Sequence, residues 1–213
     1  RELVLKMAQD PKVIKILIGN LKIEERGAAL FCAEALNKQN IQSKEKKIIS
    51  KIYIEYLGKT GNDNVAIRIL TAEGLGLLGE RESIPHLLKS MESDENEIVR
   101  GSSALSLGRI GGNDIIKNIE TAIKDQSEYV RGCAIYSLGR ISKDKKIKLD
   151  LDLIKYKYEN DSSNLVKLFS AAILIEYGED KNNNYLKFIE NLSENSLEDK
   201  TKEVAVKLLK KYK

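Results

Sequence analysis

A segment of this sequence recurs at an interval of 31 residues, and this repetition constrains the fold more than any other feature of the chain. Residues 97–110 read EIVRGSSALSLGRI, and residues 128–141 read EYVRGCAIYSLGRI. A third copy at residues 66–79 places Arg68 thirty-two residues before Arg100. Self-similarity at an interval of about 20–50 residues is typical of solenoids and other arrays in which one structural unit is stacked on the next.

Weaker copies extend the same register over most of the chain. Each copy is defined by a basic residue: Arg26, Arg68, Arg100, Arg131, Lys167 and Lys202. Six residues before each is a short polar residue suited to a turn or an N-cap: Asn20, Asn62, Asp94, Asp125, Asp161 and Ser196. The residue seven positions after each basic residue is alanine or leucine. The residue just before the basic residue is valine in three copies. These positions predict a helix with one buried apolar stripe.

Shorter apolar helices are predicted between these longer ones, at residues 11–19, 43–57, 83–91, 114–123, 148–159 and 184–192. Glycines at 79, 111 and 178 follow the longer helices, where a left-handed backbone favours glycine. The predicted fold is all-α, an α-solenoid of about six helical hairpins in a right-handed superhelix. One domain is predicted over residues 11–213, with repeats at 11–37, 43–79, 83–111, 114–142, 148–178 and 184–213. Residues 1–10 are predicted as the tail of a preceding helix or a linker.

The Asp…Val-Arg…Ala…Leu-Gly pattern resembles HEAT repeats, especially the short bacterial HEAT-like repeats of phycobilisome lyase subunits. The resemblance is close over residues 62–142 and looser over residues 11–61 and 143–213. In that family the aspartate and arginine form a hydrogen-bond ladder between neighbouring repeats. The resemblance implies this role for Asp94, Arg100, Asp125 and Arg131, with Asp161 and Lys167 as a degraded copy. Phosphate binding by Arg100 and Arg131 is the alternative.

The same resemblance implies that the second helix of each hairpin lines a concave binding face. Positions one, five and nine residues after the basic residue point away from the apolar stripe. The predicted partner-binding set at these positions is Phe31, Ile69, Glu73, Leu77, Leu105, Arg109, Tyr136 and Arg140. A row of apolar groups edged by arginine suits an extended peptide or an amphipathic helix. Tight helix packing is the alternative, since it also selects the glycines found at the first of these positions in three repeats.

The scarcity of certain residue types narrows the chemistry. The 213 residues include no tryptophan, one histidine and two cysteines. His86 cannot supply a multi-histidine metal site, and Cys32 and Cys133 lie three repeats apart, beyond the reach of a disulfide. The sequence also lacks a nucleophile–histidine arrangement and a Walker-type phosphate loop. We therefore predict no catalytic residue, no metal and no cofactor, and two core thiols.

The predicted function is a non-catalytic scaffold or adaptor that binds a peptide or helix of another protein. Two alternatives are open: a HEAT-like enzyme subunit of the lyase type, and nucleic-acid binding through the basic C-terminal helix. Residues 200–213 carry six lysines and one glutamate, whereas the whole chain has a net charge of +4. The rest is therefore close to neutral, which argues against a long nucleic-acid groove. No transmembrane segment is predicted. The sequence leaves open the partner, the oligomeric state and the presence of further repeats. It also leaves open the compartment, although the unpaired cysteines favour the cytoplasm.

Overall fold

A computed structural model describes residues 11–22, 26–142 and 149–212, and these residues form α-helices, short 3-10 turns and connecting segments. The helices are α1 (Pro11–Leu21), α2 (Arg26–Asn37), α3 (Ser43–Leu57), α4 (Val65–Leu78), α5 (Ile84–Ser93), α6 (Glu97–Ile110), α7 (Ile116–Ala122), α8 (Glu128–Ile141), α9 (Leu151–Asn160), α10 (Asn164–Glu176), α11 (Asn184–Asn195) and α12 (Asp199–Tyr212). The predicted all-α class is confirmed, and the helix bounds agree with the sequence prediction to within a few residues. None of these helices has the length and apolarity needed to cross a bilayer.

The helices pair into hairpins, and the hairpins group into two compact units, with the boundary along the chain between Gly112 and Asn113. In unit 1, α1 packs on α2, α3 on α4 and α5 on α6, and the second helices α2, α4 and α6 also contact one another in sequence. In unit 2, α7 packs on α8, α9 on α10 and α11 on α12, and α10 contacts both α8 and α12. This stacking of hairpins through their second helices is the architecture of an α-solenoid. The single domain over residues 11–213 stays a prediction, and residues 1–10 lie outside the described residues.

The predicted apolar stripe is confirmed by burial of the second helices. The valines just before the basic residues, Val99, Val130 and Val166, are each fully buried. Eight positions later in the register the stripe continues with leucines that are also buried: Leu75, Leu107, Leu138 and Leu174. Because these positions recur at helical spacing, each second helix presents one continuous face to the core.

Most of the short polar residues of the register lie in the turn between the two helices of a hairpin, so they take the predicted turn role and not the alternative role of an N-cap. Asp94 and Asp161 end α5 and α9, and the N-cap residues of the next helices lie two positions later. Each aspartate accepts a hydrogen bond from the amide two residues on, at 2.9 Å for Asp94 and 3.1 Å for Asp161. Asn20 lies within α1. Sequence alone could not separate these roles, because aspartate and asparagine suit both turns and caps.

The ends of the longer helices follow the prediction. Gly79, Gly111 and Gly178 have φ values of 72°, 74° and 74°, in the left-handed region that favours glycine. At Gly79 the amide also donates to the carbonyl of Leu75, so the chain turns away without leaving this amide unpaired.

Candidate functional site

One ion pair of the predicted ladder joins two neighbouring repeats in unit 2. The Arg131 guanidinium donates two hydrogen bonds to the Asp161 carboxylate, from Nε at 2.9 Å and from Nη2 at 2.8 Å. Its Nη1 donates to the carbonyls of Asp125 and Gln126 in the turn that precedes α8. The arginine therefore holds its own turn and the turn of the next repeat together. Its donors are satisfied internally and face a carboxylate, which disfavours the alternative role in binding phosphate.

An equivalent pair in unit 1 involves Arg68, which the sequence analysis left out of the ladder. Arg68 is 2% exposed and donates to Asp94 from Nε at 2.9 Å and from Nη2 at 3.0 Å. Its Nη1 donates to the carbonyls of Lys59 and Gly61 in the preceding turn. The signal that would have identified this pair is the order of the ladder. Arg68 and Arg131 each pair with the aspartate of the next repeat and not with the polar residue of their own.

Three further basic residues of the register also contact the turn of their own repeat. Arg100 donates to the carbonyls of Asp94 and Glu95, at 2.9 and 3.4 Å. Lys167 donates to the carbonyl of Glu159 at 3.3 Å, and Lys202 donates to the carbonyl of Glu194 at 3.2 Å. Lys167 has no aspartate ahead of it, because the equivalent residue of the next repeat is a serine. The predicted residue Asp125 accepts a hydrogen bond from the amide of Ser127 at 2.7 Å.

The environment of Asp161 predicts a pH dependence of stability. Burial opposes its ionisation, but hydrogen bonds from Arg131, from the Ser163 amide and from Lys157 outweigh burial and lower the pKa from 3.8 to about 2. A carboxyl group whose pKa is lower in the folded state stabilises the fold above its unfolded pKa, and this contribution is lost as the pH falls toward the folded pKa. We expect a loss on the order of 2 kcal/mol between pH 5 and pH 2.

This loss can be measured by urea unfolding of the wild type and of Asp161→Asn at a series of pH values. The difference in unfolding free energy between the two proteins should shrink as the pH falls from 5 to 2, because the asparagine side chain does not titrate. A difference that stays constant over this range would show that the ionised carboxylate contributes nothing to stability.

The predicted partner-binding residues of unit 1 lie at the surface of the second helices. Leu77 is 52% exposed and Arg109 is exposed, while the other four are half-buried: Phe31, Ile69, Glu73 and Leu105. Positions of the same pattern are not accessible in every repeat, since Ala35 is 1% exposed. Packing therefore occupies part of the predicted face in the first repeat, and side chains are available for contact in the second and third.

In unit 2 the two predicted residues Tyr136 and Arg140 lie on the rim of a pocket of about 100 Å³ between α8, α10 and α12. The remaining lining residues are Gly139, Phe169, Ala172, Ile173, Glu176, Leu208, Lys211 and Tyr212. Tyr136 is 45% exposed, and its ring meets the Phe169 ring edge to face with centroids 5.5 Å apart. Aromatic pairs of this geometry are favourable beyond the area they bury, so the edge of the pocket is well defined.

The polar groups of this pocket contact one another. Lys211 forms an ion pair with Glu176. The Tyr212 hydroxyl donates toward the Ala172 carbonyl at 3.1 Å and Glu176 Oε1 at 3.0 Å. Burial and the neighbouring Glu176 raise the pKa of Tyr212, so the phenol stays protonated and can donate at neutral pH. Arg140 is exposed and forms no ion pair with any residue in the described parts of the chain.

The sequence prediction missed most of the residues that line this pocket. Phe169 lies two positions after Lys167, which is outside the pattern of one, five and nine residues. On a helix of 3.6 residues per turn, positions two and nine are only about 20° apart, so they share a face. A helical projection would have identified Phe169. Nothing in the sequence shows that α12 supplies Leu208 and Tyr212, because this depends on how the last hairpin packs.

The two cysteines and the single histidine do not lie together in one site. Cys32 and Cys133 are buried free thiols, and burial raises the pKa of Cys133 to about 12. His86 is exposed on α5. In residues 11–22, 26–142 and 149–212, no three histidine, cysteine, aspartate or glutamate side chains are grouped so that they could hold a metal ion.

Known proteins show the same architecture. A chain in a homology model of the full-length AP-3 complex in an intermediate open conformation aligns with a TM-score of 0.73 and 13% identity. The alignment covers 99% of this chain but only 43% of that chain. The archaeal HEAT-like repeats protein from Thermococcus onnurineus NA1 aligns with a TM-score of 0.55 and 12% identity, over 97% of this chain and 90% of that one. Both alignments show a shared fold.

The complex of CpcE and CpcF of phycocyanin lyase from Nostoc sp. PCC7120 aligns with a TM-score of 0.46 and 18% identity, over 93% of this chain and 94% of that chain. Among curated proteins, none matches this sequence significantly. The family model for HEAT repeats matches residues 54–120 and 84–155. This segment holds the closest sequence copies and also Arg68 and Arg131, the arginines of the two ion pairs. This match covers just under half of the chain, and together with the stacked helical hairpins it shows that the chain contains HEAT repeats.

Proposed function

We propose that this protein is a non-catalytic scaffold or adaptor whose second helices bind a segment of another protein. The HEAT-repeat fold commonly serves as a protein-interaction scaffold. The observation that carries the proposal is the pocket of unit 2, where an exposed tyrosine and an exposed arginine with no ion-pair partner in the described part of the chain lie beside apolar walls. Tyrosine and arginine are enriched among the residues that contribute most to binding at protein interfaces.

Unit 1 supports the same proposal with a second accessible group on its second helices. Leu77 on α4 is 52% exposed, and Arg109 on α6 has no ion-pair partner among the described residues. Leucine and arginine thus repeat on unit 1 the combination of apolar and cationic groups found beside the pocket of unit 2. A partner that contacts unit 1 would gain affinity from burying the Leu77 side chain.

Removing the accessible apolar groups is expected to abolish capture of the partner. Tagged wild-type protein and the double variant Leu77→Ala/Tyr136→Ala are used to recover proteins from cells of the source organism, with quantification by mass spectrometry. Truncation of an aromatic anchor in an interface costs about 2 kcal/mol or more, roughly thirtyfold in affinity. The double variant should therefore lose the proteins that the wild type enriches.

A matched control truncates one aliphatic residue and one tyrosine on the first helices. Ile48 on α3 is 41% exposed and Tyr156 on α9 is 59% exposed, so Ile48→Ala/Tyr156→Ala removes a similar area from the other side of the hairpins. This control should retain the wild-type set of proteins. Equal loss in both double variants, or retention in both, would contradict the assignment of the second helices as the binding surface.

A further inference from the structure

We propose that the pocket between α8, α10 and α12 binds a protein segment that carries an aliphatic side chain and an acidic side chain about 6 Å apart. The proposal rests on the function proposed above and specifies the chemistry of the ligand. The aliphatic group fills the pocket beside Tyr136, and the carboxylate pairs with Arg140.

The size and the walls of the pocket select an aliphatic side chain. Its apolar lining comes from Phe169, Ala172, Ile173 and Leu208, with Tyr136 at the rim. The volume is about 100 Å³. A dry cavity of about 150 Å³ holds a benzene molecule, so this smaller pocket suits the branched chain of leucine, isoleucine or valine better than a phenyl ring.

The charges around the pocket select an acidic group. Glu176 is neutralised by Lys211 and also receives the Tyr212 hydroxyl, so these three groups form a closed set. Arg140 is then the only charged lining residue without a partner among the described residues. A carboxylate from the ligand gains a charge-assisted hydrogen bond there. A basic group would face Arg140 and Lys211 and would have to displace an existing ion pair to reach Glu176.

The spacing of the two ligand groups follows from the helix that presents their receptors. Tyr136 and Arg140 are four residues apart on α8, which corresponds to about 6 Å along the helix axis. A helical ligand matches this distance with side chains four residues apart, and an extended ligand matches it with side chains two residues apart.

The pocket is formed before any ligand binds. The Tyr212 hydroxyl ties α12 to the Ala172 carbonyl on α10, and the Tyr136–Phe169 ring pair joins α8 to α10. A site whose walls are already fixed loses less conformational entropy on binding than a mobile one. Individual side chains of the ligand can therefore make a measurable difference to affinity.

The test selects ligands for the purified protein from a phage-displayed library of random peptides. We expect enriched sequences to combine leucine, isoleucine or valine with glutamate or aspartate at a spacing of two or four residues. A fluorescent synthetic peptide of the consensus is then titrated by anisotropy. Replacing its aliphatic residue by alanine should weaken binding about tenfold or more.

A double-mutant cycle locates the acidic contact. Replacing the peptide glutamate by glutamine should weaken binding to the wild type by about tenfold, and should have no effect on binding to Arg140→Gln. Lys117→Gln removes an exposed charge from the first helix α7 and serves as the matched control, with binding as in the wild type. Circular dichroism spectra of both variants should overlay that of the wild type.

Each other outcome has a separate meaning. A consensus without an acidic residue, or equal effects of the peptide glutamine on wild type and Arg140→Gln, overturns this inference and leaves the scaffold function standing. Tighter Arg140-dependent binding to a single-stranded oligonucleotide or to anionic lipid vesicles than to the peptide also overturns it. If no peptide is enriched and Leu77→Ala/Tyr136→Ala retains every captured protein, the proposed function itself is wrong.

Discussion

Arg68→Met is expected to lower the free energy of unfolding by about 3–5 kcal/mol, the usual cost of removing one member of a buried ion pair. The substitution keeps a long side chain in the core but leaves the Asp94 carboxylate, which is 9% exposed, without its cation. It also removes the donors to the carbonyls of Lys59 and Gly61. The loss is measured by urea-induced unfolding followed by circular dichroism.

The chain offers a matched control at the equivalent position of the last repeat. Lys202 is exposed and donates to the Glu194 carbonyl, so Lys202→Met removes a basic residue without leaving a buried carboxylate. We expect a change of less than about 1 kcal/mol there, as for other surface charges. Similar losses at Arg68 and Lys202 would show that burial of the pair is not the source of the stability.

The energetic origin of this effect can be isolated by neutralising the second partner. Asp94→Asn removes the charge but keeps a side-chain oxygen that can accept from the Asn96 amide. In the background of Arg68→Met it should recover part of the lost stability, because the cost of the single variant is mainly an uncompensated buried charge. A double variant no more stable than Arg68→Met would attribute the loss to packing or to the turn carbonyls.

These pairs matter for function because a solenoid is stabilised repeat by repeat. Its stability is approximately a sum of the terms within repeats and the terms between neighbours. Arg68 and Arg131 each bond the turn of their own repeat and the aspartate of the next, so they contribute to both terms at once. Both arginines lie in the first turn of a second helix, and their side chains reach the turn between the helices of the hairpin. The exposed residues of the second helices are thereby left available for contacts with a partner.

The parts of the fold that repeat could be predicted from sequence, and the parts that depend on one local packing arrangement could not. Burial of Val99 and Val130 follows from the helical period and recurs in each copy. The positions of Leu208 and Tyr212 in the pocket instead depend on how α12 docks against α10. Side-chain periodicity carries no information on that docking.

The pairing of Arg68 with Asp94 was missed for a related reason. The interval between repeats shows that arginine and aspartate recur, but it does not show whether an arginine reaches forward or backward along the stack. The structure supplies this direction through the hydrogen bonds from Arg68 to Asp94 and from Arg131 to Asp161. With the direction known, the sequence of the final repeat explains why Lys167 meets no aspartate there.

Gly76→Ala is expected to destabilise the protein by about 3 kcal/mol, at the upper end of the usual cost of overpacking a core. A Cβ atom at this position would lie 2.6 Å from the Ser106 hydroxyl oxygen and 2.7 Å from the Ser106 Cα atom. Because Cα belongs to the backbone of α6, relief requires α4 and α6 to move apart. Alanine is otherwise the better helix former by about 1 kcal/mol, so packing must overcome this gain.

The opposite sign is expected at a helical glycine with open space around it. Gly27 on α2 has no heavy atom within 4 Å of an added Cβ beyond its chain neighbours and the backbone of its own helix, so Gly27→Ala should stabilise the protein by up to about 1 kcal/mol. Both changes add one methyl group to a second helix, and urea unfolding of the two variants therefore separates close helix approach from intrinsic propensity. A stabilising Gly76→Ala would mean that α4 and α6 can separate at little cost, and the second helices would then be too loosely held to present a preformed binding surface.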